Sequence, residues 1–330
     1  MKALVYVSPH ELELRDEADP VPAPGEALIR IDAAAICGSD MHGYHGADPR
    51  RKPPLILGHE AAGEVLSGAR AGERVVLNPL VTCGECPACT GGRANLCPER
   101  KLIGMARPGA FAEYVTLPER NLITIPEGMP AAHAALTEPT ATALHGIFLA
   151  QRAAFRGFAE GNALVLGGGA IGLLSALILR WQGCRDITIV ETNPNRRRMI
   201  ETTGVARVSD PAADGAPPSD HFDLVVDAVG IGATRTTAVA AVRPGGVVLH
   251  IGLGESSSEM DARKLTLGEV YFVGCYTYTP ADMRASLQAL HNGSLGDLSW
   301  IEQRPLEEGA QVFADLDHGR LGAGKVVLRP

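Results

Sequence analysis

No apolar run in this chain approaches the length of about 20 residues that a membrane-spanning helix needs. An excess of basic residues is missing too: 30 Lys and Arg stand against 38 Asp and Glu, for a net charge of −8. Such a balance gives no electrostatic footprint for nucleic acid or an anionic membrane. The segment Met1-Lys2-Ala3-Leu4-Val5-Tyr6-Val7 lacks the long apolar core and cleavage site of a secretory signal, so the expected compartment is the cytoplasm. Repeats and low-complexity tracts are absent. The basic triplets Arg50-Arg51-Lys52 and Arg196-Arg197-Arg198 are expected as solvated surface. With 330 residues, 45% of them hydrophobic, the chain can bury two domain cores but no long accessory region.

Four of its seven cysteines, Cys83, Cys86, Cys89 and Cys97, fall within fifteen residues. The spacing C-x2-C-x2-C-x7-C brings four thiolates around one ion and reads as a structural zinc site, closed to substrate, that pins the loop Pro79 to Glu99. Gly84, Pro87, Gly91 and Gly92 supply the turns. Disulfides are disfavoured in a chain of this compartment. Cys184 and Cys275 are expected as buried thiols.

A second set is scattered: Cys37, the pair His59 and Glu60, and Glu138. One sulfur, one imidazole and two carboxylates from distant segments suit a catalytic zinc with an exchangeable position, able to polarise an alcohol or carbonyl oxygen. Asp40 is expected to accept a hydrogen bond from His59 and fix its tautomer. Ser39 and His42 are candidates for carrying a proton out of such a site.

Short β-prone segments, Leu28 to Ile31, Gly63 to Leu66, Arg74 to Leu77, Phe111 to Leu117 and Leu122 to Ile125, predict a compact, largely antiparallel β domain first. After Glu138, Ala-rich helical stretches alternate with apolar strands, as a parallel doubly wound sheet requires. The strand Ala163 to Leu166 runs into Gly167-Gly168-Gly169-Ala170-Ile171-Gly172 and a helix toward Trp181, a dinucleotide-binding fingerprint. Gly167 allows the turn, Gly169 lets backbone approach a pyrophosphate, and Gly172 lets helix pack on strand. A second strand, Ile187 to Val190, ends in Glu191, whose carboxylate suits ribose hydroxyls and repels a 2′-phosphate, favouring NAD over NADP. Arg196, one turn on, is placed to pair with a phosphate or cover the adenine. Val205 to Val208, Leu224 to Asp227, Val247 to Ile251 and Tyr271 to Cys275 bring the sheet to six strands.

The segments Cys37-Gly38-Ser39-Asp40-Met41-His42 and Gly58-His59-Glu60-Ala61-Ala62-Gly63 resemble the two zinc signatures of the medium-chain dehydrogenase/reductase superfamily, in its zinc-dependent alcohol and polyol (sorbitol-like) branch. The cysteine lobe, Thr137-Glu138-Pro139, the glycine-rich turn and Gly324-Lys325-Val326-Val327 extend the likeness over nearly the whole chain. It implies an α/β protein: a GroES-like β-barrel catalytic domain over 1–138 that carries the zinc lobe 79–99, a Rossmann NAD-binding domain over 139–277, and a return to the catalytic domain over 278–330. It also implies two zinc ions per chain, a cofactor contact at Val229, and a homodimer or homotetramer. Glu138 stands where the ethanol-type branch has a cysteine, so Glu60 and Glu138 are expected to exchange places on the metal. The implied reaction is NAD-linked oxidation of a secondary alcohol of a polyol, sugar alcohol or related compound to a ketone. Alternatives are a simple alcohol, threonine 3- or polyol-phosphate dehydrogenase, or a non-catalytic nucleotide-binding protein. Thr277 departs from the arginine of polyol dehydrogenases, and Tyr44 and Tyr278 are candidates to line the pocket.

Overall fold

The computed structural model describes residues 1–330. Six parallel strands lie in the spatial order Arg207–Ser209, Asp186–Val190, Asn162–Leu166, Phe222–Asp227, Val242–His250, Tyr271–Gly274. The order reverses between Asn162–Leu166 and Phe222–Asp227, and a crevice opens at the carboxyl ends of strands at such a switch point. Side chains alternate between two covered faces. Ala163, Val165, Leu224 and Val226 pack with Leu144 and Ile147 of the helix Thr137–Ala153 and Leu173 and Leu174 of the helix Ala170–Trp181. Leu164, Leu166, Val225 and Val248 face Ala238 and Ala241 of the helix Gly232–Ala241. The expected six strands are present; the one read at Val205 to Val208 spans Arg207–Ser209, with Val205 buried just before it.

The other large sheet runs Leu122–Thr124, Arg74–Leu77, Glu60–Val65, Glu26–Ala35, Lys325–Arg329, Ile301–Pro305, with Tyr114–Pro118 also paired to Glu26–Ala35. It is antiparallel except for Ile301–Pro305 beside Lys325–Arg329. A smaller sheet joins Glu11–Asp16, Lys2–Ser8 and Leu55–Ile56. Leu4, Ile29, Leu57, Phe111, Phe313 and Leu328 share the core between them.

Register places the chemistry. Ala35 pairs with Glu60 and also lies opposite Val327, so the residues just beyond, Cys37, His59 and Lys325, meet at one end of the sheet. Ala33, Ala34 and Ala35, at most 1% exposed, allow this close approach. Glu138 lies in the first turn of the helix Thr137–Ala153, which runs across residues 138–139 and packs against the helix Pro280–His291. No helix is long and apolar enough to cross a membrane.

Candidate active site

Cys37, His59 and Glu60 offer ligand atoms that all lie within 4.8 Å of one another. Each is set by local structure. Cys37 caps the short helix Gly38–Tyr44, and its own N–H donates to Asp40 Oδ2 at 3.0 Å. The other carboxylate oxygen of Asp40 lies 3.3 Å from His59 Nδ1, which turns Nε2 toward the site and Ser39 Oγ at 3.5 Å. Burial alone would depress the His59 imidazole, but Asp40 and Cys37 outweigh it and hold the ring well above its usual value.

Lys325, 4% exposed, contacts both oxygens of Glu60 at 2.7 and 2.9 Å and donates to the Ile36 carbonyl at 2.9 Å. Glu138 is also buried, outside the 4.8 Å group but close enough to feel His59 and Glu60. Burial, aided by the Glu60 charge, pushes its carboxyl up to about 7. Tyr278, 2% exposed, places an unpartnered hydroxyl in this region and is raised by burial and by Glu138. The donor set fits a divalent cation: a thiol, an imidazole and carboxylates converge, with the buried Asp40, Glu60 and Glu138 set among His59, Lys325 and Arg51.

A cleft of roughly 240 Å³ joins Cys37 and Glu60 on one wall to Gly169, Ala170, Ile171 and Gly172 on the other. Gly167 has φ +93°, and a Cβ there would lie 2.5 Å from Val229 Cγ2; a Cβ on Gly172 would lie 1.8 Å from the Gly167 carbonyl oxygen. These two positions therefore require glycine. A Cβ on Gly169 would meet nothing within 4 Å, and the helix it opens has no side-chain cap, so its free N–H groups and the open space suit a pyrophosphate. Glu191, 5% exposed, accepts from the N–H of Gly168 at 2.8 Å and of Asn193 at 2.7 Å, while Arg196 Nη1 stands 4.0 Å away on the cleft wall.

The cysteine lobe gathers Cys83, Cys86, Cys89 and Cys97 within the same 4.8 Å limit. The Cys97–Cys83 and Cys83–Cys89 sulfurs are 3.5 and 3.9 Å apart, too far for a disulfide at about 2.05 Å. N–H groups of Glu85 and Cys86 pull the Cys83 thiol down to about 6, while at Cys86 the Cys89 N–H is outweighed by burial and the neighbouring sulfurs, which push that thiol up to about 11. The lobe reaches the opposite domain through Asn95 Nδ2, which donates to the Tyr276 carbonyl at 2.9 Å, and Arg100, which stacks over the Tyr276 ring.

Three expectations change. Arg51 is 3% exposed rather than solvated, because Asp48, the Gly104 carbonyl and Ser39 Oγ at 3.1 Å satisfy its guanidinium. Tyr44 is 5% exposed and packs on Phe313, so it is a core residue rather than part of the cleft wall. Ser39 bonds to Arg51 and His59, and no hydrogen bond joins it to His42. The half-buried His42 ring, depressed by burial, Arg51 and His45, lines a separate part of the cleft with Arg235 and His250. Sequence reading offered Arg51, with Arg50 and Lys52, only as solvated surface or a contact for a phosphorylated polyol and gave Lys325 no role of its own; it placed neither beside Cys37, His59 and Glu60. Lys325 was legible only as part of the segment Gly324-Lys325-Val326-Val327 and as a charge opening the apolar run Val326-Val327-Leu328.

Residues 23–127 match the alcohol dehydrogenase GroES-like domain and residues 170–292 the zinc-binding dehydrogenase family. An L-threonine 3-dehydrogenase of Chelativorans sp. is 31% identical over 99% of this chain and 98% of its own length. An L-galactonate-5-dehydrogenase of Escherichia coli is 30% identical over 95% of this chain and 94% of its own. The acetophenone reductase of Geotrichum candidum, solved in complex with NAD, superposes with a TM-score of 0.87 at 26% identity, covering 100% of this chain and 97% of that one. The chain belongs to the zinc-dependent alcohol dehydrogenases of the medium-chain dehydrogenase/reductase superfamily, enzymes that work with zinc and NAD(P). Its two parts are accordingly a GroES-like domain and a Rossmann domain.

Proposed function

We propose that this enzyme oxidises a secondary alcohol of a polyol, sugar alcohol or related hydroxyl-rich compound to a ketone with NAD. The observation that carries the reading is the single cleft that sets Cys37 and Glu60 opposite the glycine-rich turn. Cys37, His59 and the carboxylates of Glu60 and Glu138 would hold the catalytic zinc, and Cys83, Cys86, Cys89 and Cys97 the structural one. When bound, zinc supplies polarisation of the alcohol oxygen and NAD supplies the hydride acceptor.

The chain's own groups do the rest. Asp40 keeps the His59 proton on Nδ1, leaving Nε2 free to coordinate. Lys325 neutralises Glu60, so that two buried carboxylates can share one small volume. Arg51 donates to Ser39 Oγ and leaves that oxygen one acceptor position for the proton of the substrate hydroxyl. His42 lies farther along the cleft as a later acceptor, by way of groups between. The N–H groups of Gly169, Ala170 and Ile171 receive the pyrophosphate, Glu191 the adenosine ribose, and Val229 closes over Gly167. The division at residues 138 and 278 is the natural reading of where the two sheets exchange the chain. An uncovered edge strand, Tyr271–Gly274, with Tyr271 and Leu267 exposed, supports assembly into a homodimer or homotetramer, in the cytoplasm.

A second reading has a specific support. Thr277, at φ +46°, stands where polyol dehydrogenases carry an arginine, and the L-threonine 3-dehydrogenase of Chelativorans sp. is similar throughout its length. Turnover of zinc-loaded protein should therefore be measured on polyols, sugar acids, L-threonine and simple secondary alcohols with NAD and NADP. Oxidation of at least one secondary alcohol is expected. No turnover on any alcohol with either nucleotide would refute the enzyme reading for these substrates.

Glu191→Ala should lower kcat/KM for NAD by on the order of 10-fold, the loss of a charge-assisted hydrogen bond to the ribose. It should also move the NAD/NADP ratio toward NADP by on the order of 10- to 100-fold, since Arg196 is then released to meet a 2′-phosphate. Steady-state kinetics with both nucleotides decide it. An unchanged ratio would remove Glu191 from cofactor selection.

A further inference from the structure

His10, His45 and Asp317 come from three distant segments: the turn between the strands Lys2–Ser8 and Glu11–Asp16, the C-terminal cap of the helix Gly38–Tyr44, and the last residue of the helix Gly309–Asp317. Their ligand atoms lie within 4.8 Å of one another. His45 Nε2 is 2.6 Å from Asp317 Oδ1, and His10 Nδ1 is 3.5 Å from Asp317 Oδ2. None of the three is a ligand, cofactor contact or proton carrier in the dehydrogenase chemistry described above, although His45 lies beside His42.

The backbone beneath them is fixed by buried packing. The His10 N–H donates to the Tyr44 carbonyl at 2.6 Å, with His10 itself held at φ +63°. The His45 N–H donates to the Met41 carbonyl at 2.9 Å. Tyr44 seats the helix that ends at His45 against Phe313 of the helix that ends at Asp317, with ring centroids 5.5 Å apart. Three anchored segments thus present three exposed heads to a common point. No lysine or arginine competes for the carboxylate: Arg320 pairs with Asp315, and Asp317 faces only the imidazoles.

We propose that His10, His45 and Asp317 form a binding site for an exchangeable divalent transition-metal ion, such as Ni²⁺, Co²⁺ or Zn²⁺. Two imidazole nitrogens and one carboxylate oxygen are a donor set for these metals, and the absence of sulfur and of further carboxylates sets it apart from Ca²⁺ and Mg²⁺ sites. Metal–ligand bonds of about 2.0–2.2 Å put neighbouring donors about 3.3 Å apart, which the exposed rings reach by small rotations. The ion takes the place of the direct contact between His45 Nε2 and Asp317 Oδ1, and water fills its remaining positions. An ion here ties the N-terminal hairpin to the end of the helix that carries Ser39, Asp40 and His42, bracing the wall of the cleft that His42 and His45 line.

The test is a titration of the zinc-replete protein with NiCl₂, followed by calorimetry and thermal melting. Wild type should bind one ion per chain beyond its resident zinc, with a rise in Tm. Co²⁺ added to the same protein should give weak visible d–d bands without the near-ultraviolet thiolate charge-transfer band that either cysteine-containing set would produce. Asp317→Asn and His10→Ala should each lose the added ion and its Tm rise while keeping zinc content, alcohol turnover and metal-free Tm. The proposal is overturned by wild type that binds no extra ion, by equal binding in both variants, or by a thiolate band in the cobalt spectrum.

Discussion

Cys37→Ser should cut alcohol turnover by on the order of 10³ or more, the equivalent of about 4 kcal/mol of transition-state stabilisation. A serine hydroxyl is a poor zinc ligand, since it does not give up its proton to a metal at neutral pH as a thiol does. The same substitution should leave the fold alone. Cys37 caps the helix Gly38–Tyr44 by accepting the Ser39 N–H, a position at which serine is among the preferred residues. NADH should still bind, because Gly167 to Gly172 and Glu191 stand on the parallel sheet across the cleft. Zinc content, Tm, NADH affinity and turnover measured on one preparation separate these effects. Near-normal turnover in the variant would end the assignment of Cys37 to a catalytic metal.

What the sequence made legible follows from how local each signal is. The glycine-rich turn is one strand, one tight bend and one helix start, all within eleven residues, and the structure requires glycine at Gly167 and Gly172. The four cysteines of the lobe are likewise a short-range pattern. The strands of the parallel sheet were legible because burial on both faces leaves nearly continuous apolar runs. Cys37, His59 and Glu138 were recognisable only together, through their resemblance to a family, because three separate elements bring them into one place. Arg51 and Lys325 show where sequence reading ends. A basic residue in a loop or opening a strand is normally solvated, and its burial depends on partners far along the chain: Gly104 for Arg51 and Glu60 for Lys325. The passage of Arg51 also needs Gly43, where a Cβ would come 2.5 Å from the arginine Cδ. The parallel pairing of Ile301–Pro305 with Lys325–Arg329 was hidden for the same reason, since register between distant strands leaves no mark in either one.

Cys89→Ser should reduce bound zinc from two ions per chain to one and lower Tm by on the order of 5 °C, on about 3 kcal/mol lost at roughly 1.5–2 °C per kcal/mol for a chain of this size. The lobe has no core to fall back on. From Thr82 to Leu96 the only buried residue is Asn95, and the strands at its base, Leu80–Val81 and Lys101–Leu102, are two residues each. On the proposed assignment its order rests on metal–sulfur bonds rather than on burial, and three thiols in place of four would leave the ion open to water and chelator. Loss of that order should expose Arg93, already at the surface, to trypsin, giving a cut that wild type resists until its zinc is stripped. Turnover should fall less than in Cys37→Ser and by a different route: Asn95 and Arg100 hold Tyr276, two residues from the buried Tyr278 that stands beside Glu138. A loosened lobe lets that wall of the site shift without removing a catalytic group. Full zinc content together with an unchanged Tm in Cys89→Ser would show that the four cysteines do not hold a structural ion.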